Sequence, residues 1–297
     1  MLTGYHVAVI GGDARQIEII RRLNEWGVQV YLAGFDQLNG SFTEATELEF
    51  DSDQVERLDA VILPVSGTDE NGCVDGVFTN RSIPLKEEWL SRTPENCMVF
   101  TGITNEALTQ IVHKSKRSLI PLMNRDDVAI YNSIPTVEGT IMMAIQHTDF
   151  TIHGSHVLLL GLGRVGMSLA RSFDQLGAEV TVAVHSSKDA ARAYEMGMTP
   201  LDIETLPLHD LTFDLVLNTV PASVVDASII KKLPTHALIL DIASKPGGTD
   251  FRYAEKRGIK SILVPGLPGI VAPKTAGRII ANVISQQLLR SNRKVDD

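Results

Sequence analysis

The stretch His156-Val157-Leu158-Leu159-Leu160-Gly161-Leu162-Gly163-Arg164-Val165-Gly166, inside the segment Ser155 to Lys188, decides how this chain is read. Its apolar run predicts a strand buried on both faces of a parallel sheet. The glycines follow at once, a helix-period segment carries the chain to Gly177, and a second β-rich run, Glu179-Val180-Thr181-Val182-Ala183-Val184, closes the unit. Strand, glycine turn, helix and strand within about thirty residues is the context in which G-x-G-x-x-G predicts a dinucleotide site. Each glycine has its own role. Gly161 permits the tight turn, Gly163 the approach of backbone to a diphosphate, and Gly166 the close packing of helix on strand. The N–H groups and positive end of the helix opening at Arg164 and Val165 then face the ligand's negative charge.

The end of the second strand bears on which dinucleotide binds. An NAD site normally places Asp or Glu there, about twenty residues past the first glycine, to accept from the ribose 2′-OH. Here the strand ends in His185-Ser186-Ser187-Lys188, and the first carboxylate is Asp189. Two hydroxyls, an imidazole and an ammonium suit a 2′-phosphate that a carboxylate would repel. NADP is therefore preferred over NAD. The same residues also suit a helix start with a serine as N-cap, and the two roles are compatible.

Working outward, the same pattern recurs earlier. His6-Val7-Ala8-Val9-Ile10 predicts a strand, Gly11-Gly12-Asp13-Ala14-Arg15 a turn, Ala14 to Trp26 a helix and Val28 to Ala33 a strand; Gly11 and Gly27 are separated by the same interval as Gly161 and Gly177. The runs at 59–64, 98–101 and 118–121 likewise match those at 214–219, 238–241 and 261–264. Two doubly wound, parallel-sheet α/β domains of Rossmann-like type are predicted. The first spans 1–131. A connecting helix is assigned to 132–150; it opens in a turn and helix start at Asn132 to Thr136, since Pro135 disfavours helix before it, and its apolar stripe runs from Val137. The nucleotide domain spans 151–273, ending in a rigid loop from Pro265 to Lys274. A last helix over 274–297 is expected to return to the first domain, with Ala276, Ile279, Ile280, Val283, Ile284 and Leu288 along one stripe.

Composition excludes several classes. The chain has 297 residues, enough for two domains, with 44% hydrophobic and 21% charged residues, as in ordinary globular proteins. The formal charge of −9, from 27 Lys+Arg against 36 Asp+Glu, argues against a nucleic-acid partner. No apolar run approaches the ~20 residues of a membrane span. Met1-Leu2-Thr3-Gly4 leads straight into a strand, so no targeting segment is expected, and Cys73 and Cys97 read as reduced cytosolic thiols. No metal-ligand spacing and no G-x-S-x-G elbow is present.

Ligands in doubly wound sheets lie at the carboxyl ends of the strands. In the second domain those ends carry, besides the glycines and His185 to Lys188, Thr219-Val220-Pro221-Ala222 and Ala243-Ser244-Lys245. Such residues are also ordinary turn formers. The first domain lacks the third glycine, and Asp13 is expected to cap its helix, with Arg15 beside it as a cation for an anionic substrate. Lys274, at the start of the last helix, stands where the dipole disfavours a cation.

The turn Val9 to Arg15, the linker Asn132 to Gly139, the Gly161 to Gly166 fingerprint and the loop Gly266 to Lys274 together closely resemble the A-subunit family of bacterial dipicolinate synthases. In architecture that family is similar to the two-domain formate and D-2-hydroxyacid dehydrogenases. The resemblance implies a cytoplasmic oxidoreductase of spore-forming bacteria. Acting with a B subunit, it would oxidise dihydrodipicolinate, a lysine-pathway product, to pyridine-2,6-dicarboxylate with a nicotinamide cofactor. On that reading Arg15 and Lys274 bind the two carboxylates, and Asp13 or a water accepts the proton. Two alternatives stay open: a D-2-hydroxyacid dehydrogenase, although no histidine follows His236 to act as its late acid, and a cofactor-binding partner subunit without chemistry of its own. The apolar helices at 137–147 and 274–290 predict a homo-oligomer.

Overall fold

Each apolar run becomes a strand. The computed structural model describes residues 1–38 and 45–293, and the chain divides into two compact units, 1–131 with 272–297, and 132–271.

Unit 1 contains β1 (His6–Ile10), α1 (Ala14–Glu25), β2 (Gln29–Ala33), β3 (Ala45–Glu47), β4 (Ala60–Ile62), a small antiparallel pair β5 (Cys73–Val74) and β6 (Ile83–Pro84), α2 (Glu87–Leu90), β7 (Met98–Thr101), α3 (Glu106–Lys114) and β8 (Ser118–Pro121). Its main sheet has the order β3-β2-β1-β4-β7-β8, every pairing parallel. After α4 (Asp126–His147), unit 2 repeats the scheme with β9 (His156–Leu160), α5 (Arg164–Gln175), β10 (Glu179–Val184), α6 (Ser187–Glu195), β11 (Thr199–Asp202), β12 (Leu215–Asn218), α7 (Ala227–Ile230), β13 (Leu238–Asp241), α8 (Phe251–Lys256), β14 (Lys260–Leu263) and α9 (Leu267–Val271). Its order, β11-β10-β9-β12-β13-β14, is the same. Both are the doubly wound order in which the chain reverses direction beside the first strand.

The repeat reaches single hydrogen bonds. Asp59 Oδ2 accepts from the His6 N–H at 2.8 Å, and Asp214 Oδ2 accepts from the His156 N–H at 2.8 Å. Each carboxylate thus satisfies the first donor of its central strand. In Asp214, burial raises the pKa, but the His156 N–H and His236, 2.9 Å away, outweigh it and hold the carboxyl below its ordinary range.

The last helix, α10 (Pro273–Arg293), belongs to unit 1. Its Ile280, Val283, Ile284 and Leu288 are buried in one core with Ile19, Ile20 and Leu23 of α1 and Val7, Val9 and Val30 of the sheet. Burial of each such side chain stabilises by about 1.5–3 kcal/mol, so α10 is part of the unit rather than an appendage. Residues 294–297 of the expected return helix lie outside the described residues.

Two local expectations are corrected. The turn expected at Asn132 to Thr136 is helix, because α4 runs unbroken from Asp126 to His147 with Pro135 inside it. Proline removes one intrahelical bond, costing about 3 kcal/mol, but Val128, Val137 and Ala144 on either side of it are buried, and tertiary packing prevails. Thr136 Oγ1 and Thr140 Oγ1 also donate to the Asn132 and Thr136 carbonyls, each at 2.8 Å. The rigid loop expected from Pro265 to Lys274 holds α9 and then opens directly into α10. Pro268 and Pro273 stand in first turns, where a proline's missing N–H has no intrahelical partner to lose. None of the described helices is long and apolar enough to cross a membrane.

Candidate functional site

In unit 2 the three glycines differ in what surrounds them. Gly161 has φ +87°, and a Cβ there would lie 2.8 Å from Thr219 Oγ1 and 2.9 Å from Val220 Cγ2. A Cβ on Gly166 would collide with the Gly161 carbonyl oxygen, so the first turn of α5 rests on the turn below it. A Cβ on Gly163 would meet nothing within 4 Å. Gly163 is the N-cap of α5, and no side chain caps that helix. Open space, a positive helix end and uncapped N–H donors together fit a diphosphate.

Around this turn the structure brings together part of the predicted set. Thr219 Oγ1 donates to the Leu160 carbonyl at 2.8 Å, which seats Thr219 and Val220 against the glycines. Pro221 and Ser244 are exposed, while Ala243 is buried and its N–H donates to Asp241 Oδ1 at 3.2 Å. At the end of β10, His185, Ser186, Ser187 and Lys188 are all exposed. Ser186 is the N-cap of α6, accepting from the Asp189 N–H at 3.1 Å. Sequence reasoning missed Glu204, whose carboxylate comes from the β11 side to 3.9 Å of His185 Nδ1. It also missed Asn218 and Asp241, both fully buried; their one legible signal is a polar residue ending an apolar run.

The matching turn in unit 1 is closed. Gly12 N–H donates to the Asp75 carbonyl at 2.7 Å, and Val77 N–H donates to the Gly12 carbonyl at 2.9 Å. A Cβ on Gly11 would lie 2.5 Å from the Asp75 oxygen. Asp13 caps α1, reciprocated by Gln16. The chain's own backbone and a capping carboxylate thus occupy the space that a diphosphate would need.

Asp13 also grips Arg15, whose Nε donates to both carboxylate oxygens at 3.0 and 3.1 Å while Nη2 donates to Oδ2 at 2.6 Å. Burial raises the Asp13 pKa, but the hydrogen bonds and charge of Arg15 prevail and hold it below the usual carboxylate range. Nearby, α10 comes so close to α1 that a Cβ on Gly277 would strike the Arg15 carbonyl oxygen. Across the same contact Glu18, only 5% exposed, pairs with Arg21 at 2.9 Å and Arg278 at 3.5 Å. Burial raises its pKa, and Arg21, Arg278 and Lys274 together lower it further than burial lifts it. Arg15 and Lys274 therefore both flank one α1–α10 contact.

A group whose folded pKa is depressed adds stability above its unfolded pKa and loses it as pH falls through the folded value. Thermal melts of the wild type should therefore drop below about pH 4 more steeply than those of Glu18→Gln, which should melt lower at neutral pH. Parallel profiles would show that Glu18 does not fasten α10.

A cleft of about 920 Å³ also opens in unit 1 at the end of β2, between Phe35, Asp36, Phe50, Trp89 and Arg92. It is remote in sequence from the glycine fingerprint, and its charges are mixed. Burial pushes the Cys97 thiol up to about 11, so it is no nucleophile at neutral pH. Among the described residues no group of three or more His, Cys, Asp or Glu could hold a metal ion.

Comparison with known proteins gives this geometry a family. The model of the N-terminal domain of the dipicolinate synthase A subunit matches residues 6–123. Over 288 residues, 97% of each chain, the sequence is 54% identical to the dipicolinate synthase A subunit of Bacillus subtilis (strain 168). The chain belongs to the dipicolinate synthase A-subunit family. The crystal structure of the family member from Bacillus halodurans superposes with a TM-score of 0.93 at 56% identity, covering 97% of this chain and 99% of that one. A D-lactate dehydrogenase from Escherichia coli, in its apo form, shares the fold at a TM-score of 0.61 and 12% identity, covering 97% of both. The fold is thus shared with the family member and with that dehydrogenase.

Proposed function

We propose that this chain is the A subunit of a dipicolinate synthase, a cytoplasmic enzyme that oxidises dihydrodipicolinate to pyridine-2,6-dicarboxylate with NADP, beside a B subunit. The observation that carries the reading is 54% identity along 97% of a relative bearing that name. The open, uncapped turn at Gly163 supports a nicotinamide dinucleotide in unit 2. His185, Ser186, Ser187 and Lys188 favour the 2′-phosphate; Glu204 opposes it, but its side chain is 79% exposed and can turn away into solvent.

A nicotinamide dinucleotide held by the Gly161, Gly163 and Gly166 turn would supply the acceptor for a hydride from the substrate ring. Loss of that hydride and of one proton leaves an aromatic pyridine, so the reaction runs downhill and asks little of the protein beyond placement. Arg15 and Lys274 supply cations for the two carboxylates. Asp13 is ionised and committed to Arg15 at neutral pH, which suits it to hold that guanidinium in place and leaves the proton to water.

The test is an assay of the purified chain with dihydrodipicolinate and either nucleotide, repeated with the B subunit. Turnover with NADP ahead of NAD is expected; turnover only in the mixture would assign completion of the chemistry to the partner, and none in either would end the reading. Arg15→Ala and Lys274→Ala should each raise KM about tenfold or more; Arg15→Ala also strips Asp13 of its partner and should melt lower, whereas the exposed Lys274 should leave the melting temperature nearly in place. Unchanged kinetics would remove that residue from the substrate site.

A further inference from the structure

Asn218 and Asp241 end neighbouring strands at the same register, and both are fully buried. An isolated carboxylate is not left in a protein interior without compensation, and here four donors surround it. Oδ1 of Asp241 accepts from Asn218 Nδ2 at 3.1 Å and from the Ala243 N–H at 3.2 Å; Oδ2 accepts from the Gly248 N–H at 2.8 Å and from Thr249 Oγ1 at 2.7 Å. Asn218 continues the network, since Nδ2 donates to the Val220 carbonyl at 3.1 Å and Oδ1 accepts from the Val220 N–H at 3.0 Å.

These bonds fix two loops at once. The Val224 and Val225 N–H groups donate to the Gly248 carbonyl, at 3.1 and 2.9 Å, and a Cβ on Gly248 would lie 2.7 Å from Asn218 Nδ2 and from the Val220 oxygen. The stitched pair of loops ends against the fingerprint, where Val220 and Thr219 press on Gly161. In the strand order β12 and β13 stand on the opposite side of β9 from β10, whose end carries His185 to Lys188. A dinucleotide held at Gly163 with its adenosine over β10 must extend its nicotinamide half over β12 and β13.

Resting on the reading of unit 2 as the cofactor unit, we infer that the buried Asn218–Asp241 pair is the positioning device for the nicotinamide half, setting loops 219–222 and 243–248 without touching the ligand. Asp241→Asn places an amide where four donors converge. One N–H must then face another donor, so the loops shift.

Two probes separate this role from general support of the fold: NADPH, and 2′-phospho-ADP-ribose, which lacks only the nicotinamide. In Asp241→Asn the dissociation constant for NADPH should rise about tenfold or more, by loss of contacts the loops preorganise, while that for the fragment stays within about twofold. Thr249→Val removes one donor without adding a clash, and it gives the same split, smaller, even if Asp241→Asn fails to fold. Equal losses for both probes would make the pair merely structural, and no loss for either would overturn the inference. Wild-type protein that binds neither probe would instead sink the cofactor reading itself.

Discussion

Gly163→Asp is expected to abolish nucleotide binding while leaving the fold intact or slightly firmer. Gly163 and Asp13 are the N-caps of corresponding helices, in similar extended conformations, φ −77° and ψ −160° against φ −120° and ψ −165°. Any L-residue adopts such angles, and a Cβ at Gly163 meets no atom within 4 Å. Aspartate is a better N-cap than glycine by roughly a few tenths of a kcal/mol, so the melting temperature should hold or rise. The carboxylate would stand where the diphosphate is expected. At an effective dielectric near 20, like charges about 4 Å apart repel by ~4 kcal/mol, and the capped helix has lost donors as well. Affinity for NADPH should fall by about a hundredfold or more. Gly163→Asn, which caps without the charge, should lose less. Calorimetric titration of the three proteins checks this, and unaltered affinity in Gly163→Asp would place the diphosphate elsewhere. In effect the variant gives unit 2 the helix cap that unit 1 already has.

That contrast between the units shows where sequence reading succeeds. Burial of β1, β9, β12 and β13 on both faces writes itself as apolar runs, and the glycine intervals of the two halves announce the repeat. The edge strands β3 and β11, Ala-Thr-Glu and Thr-Pro-Leu-Asp, are half exposed and carry no such run. Contacts made at a distance leave no local trace either. Closure of the Gly11 turn depends on Asp75 and Val77, and Glu204 meets His185 only because β11 pairs with β10. Glu18 reads as one of the charges between the apolar positions of an amphipathic helix, yet α10 buries it. Asn218 and Asp241 are the clearest case. Each is one polar residue after an apolar run, and only the parallel register of β12 and β13 makes them a pair.

The second large effect is expected at Gly277, where the absence of a side chain lets α10 lie against the α1 backbone. The α1–α10 pair carries Ile280, Ile284 and Leu288 into the core of unit 1, and the helices approach until a Cβ at Gly277 would strike the Arg15 carbonyl and come within 2.9 Å of Glu18 Cβ. A backbone oxygen cannot rotate away as a side chain would, so Gly277→Ala must push the helices apart. Ordinary helix propensity favours alanine over glycine by about 1 kcal/mol, which sets the sign of the naive expectation. Overpacking against backbone costs about 1–3 kcal/mol, and separation of the helices also loosens the buried Glu18 from Arg278. The clash therefore prevails: unit 1 should be destabilised, with its thermal transition lowered by several degrees, on the order of 2–4 °C per kcal/mol for a domain of this size class. Lys274 lies one turn before Gly277 on α10, and Arg15 lies on the facing α1, so, on the proposed assignment of substrate to unit 1 and cofactor to unit 2, substrate KM should rise in the same variant while NADPH affinity stays as it was. Differential scanning calorimetry, nucleotide titration and a steady-state assay read the three quantities, and a Gly277→Ala protein as stable as the wild type would show that the α1–α10 contact has slack that the observed approach denies.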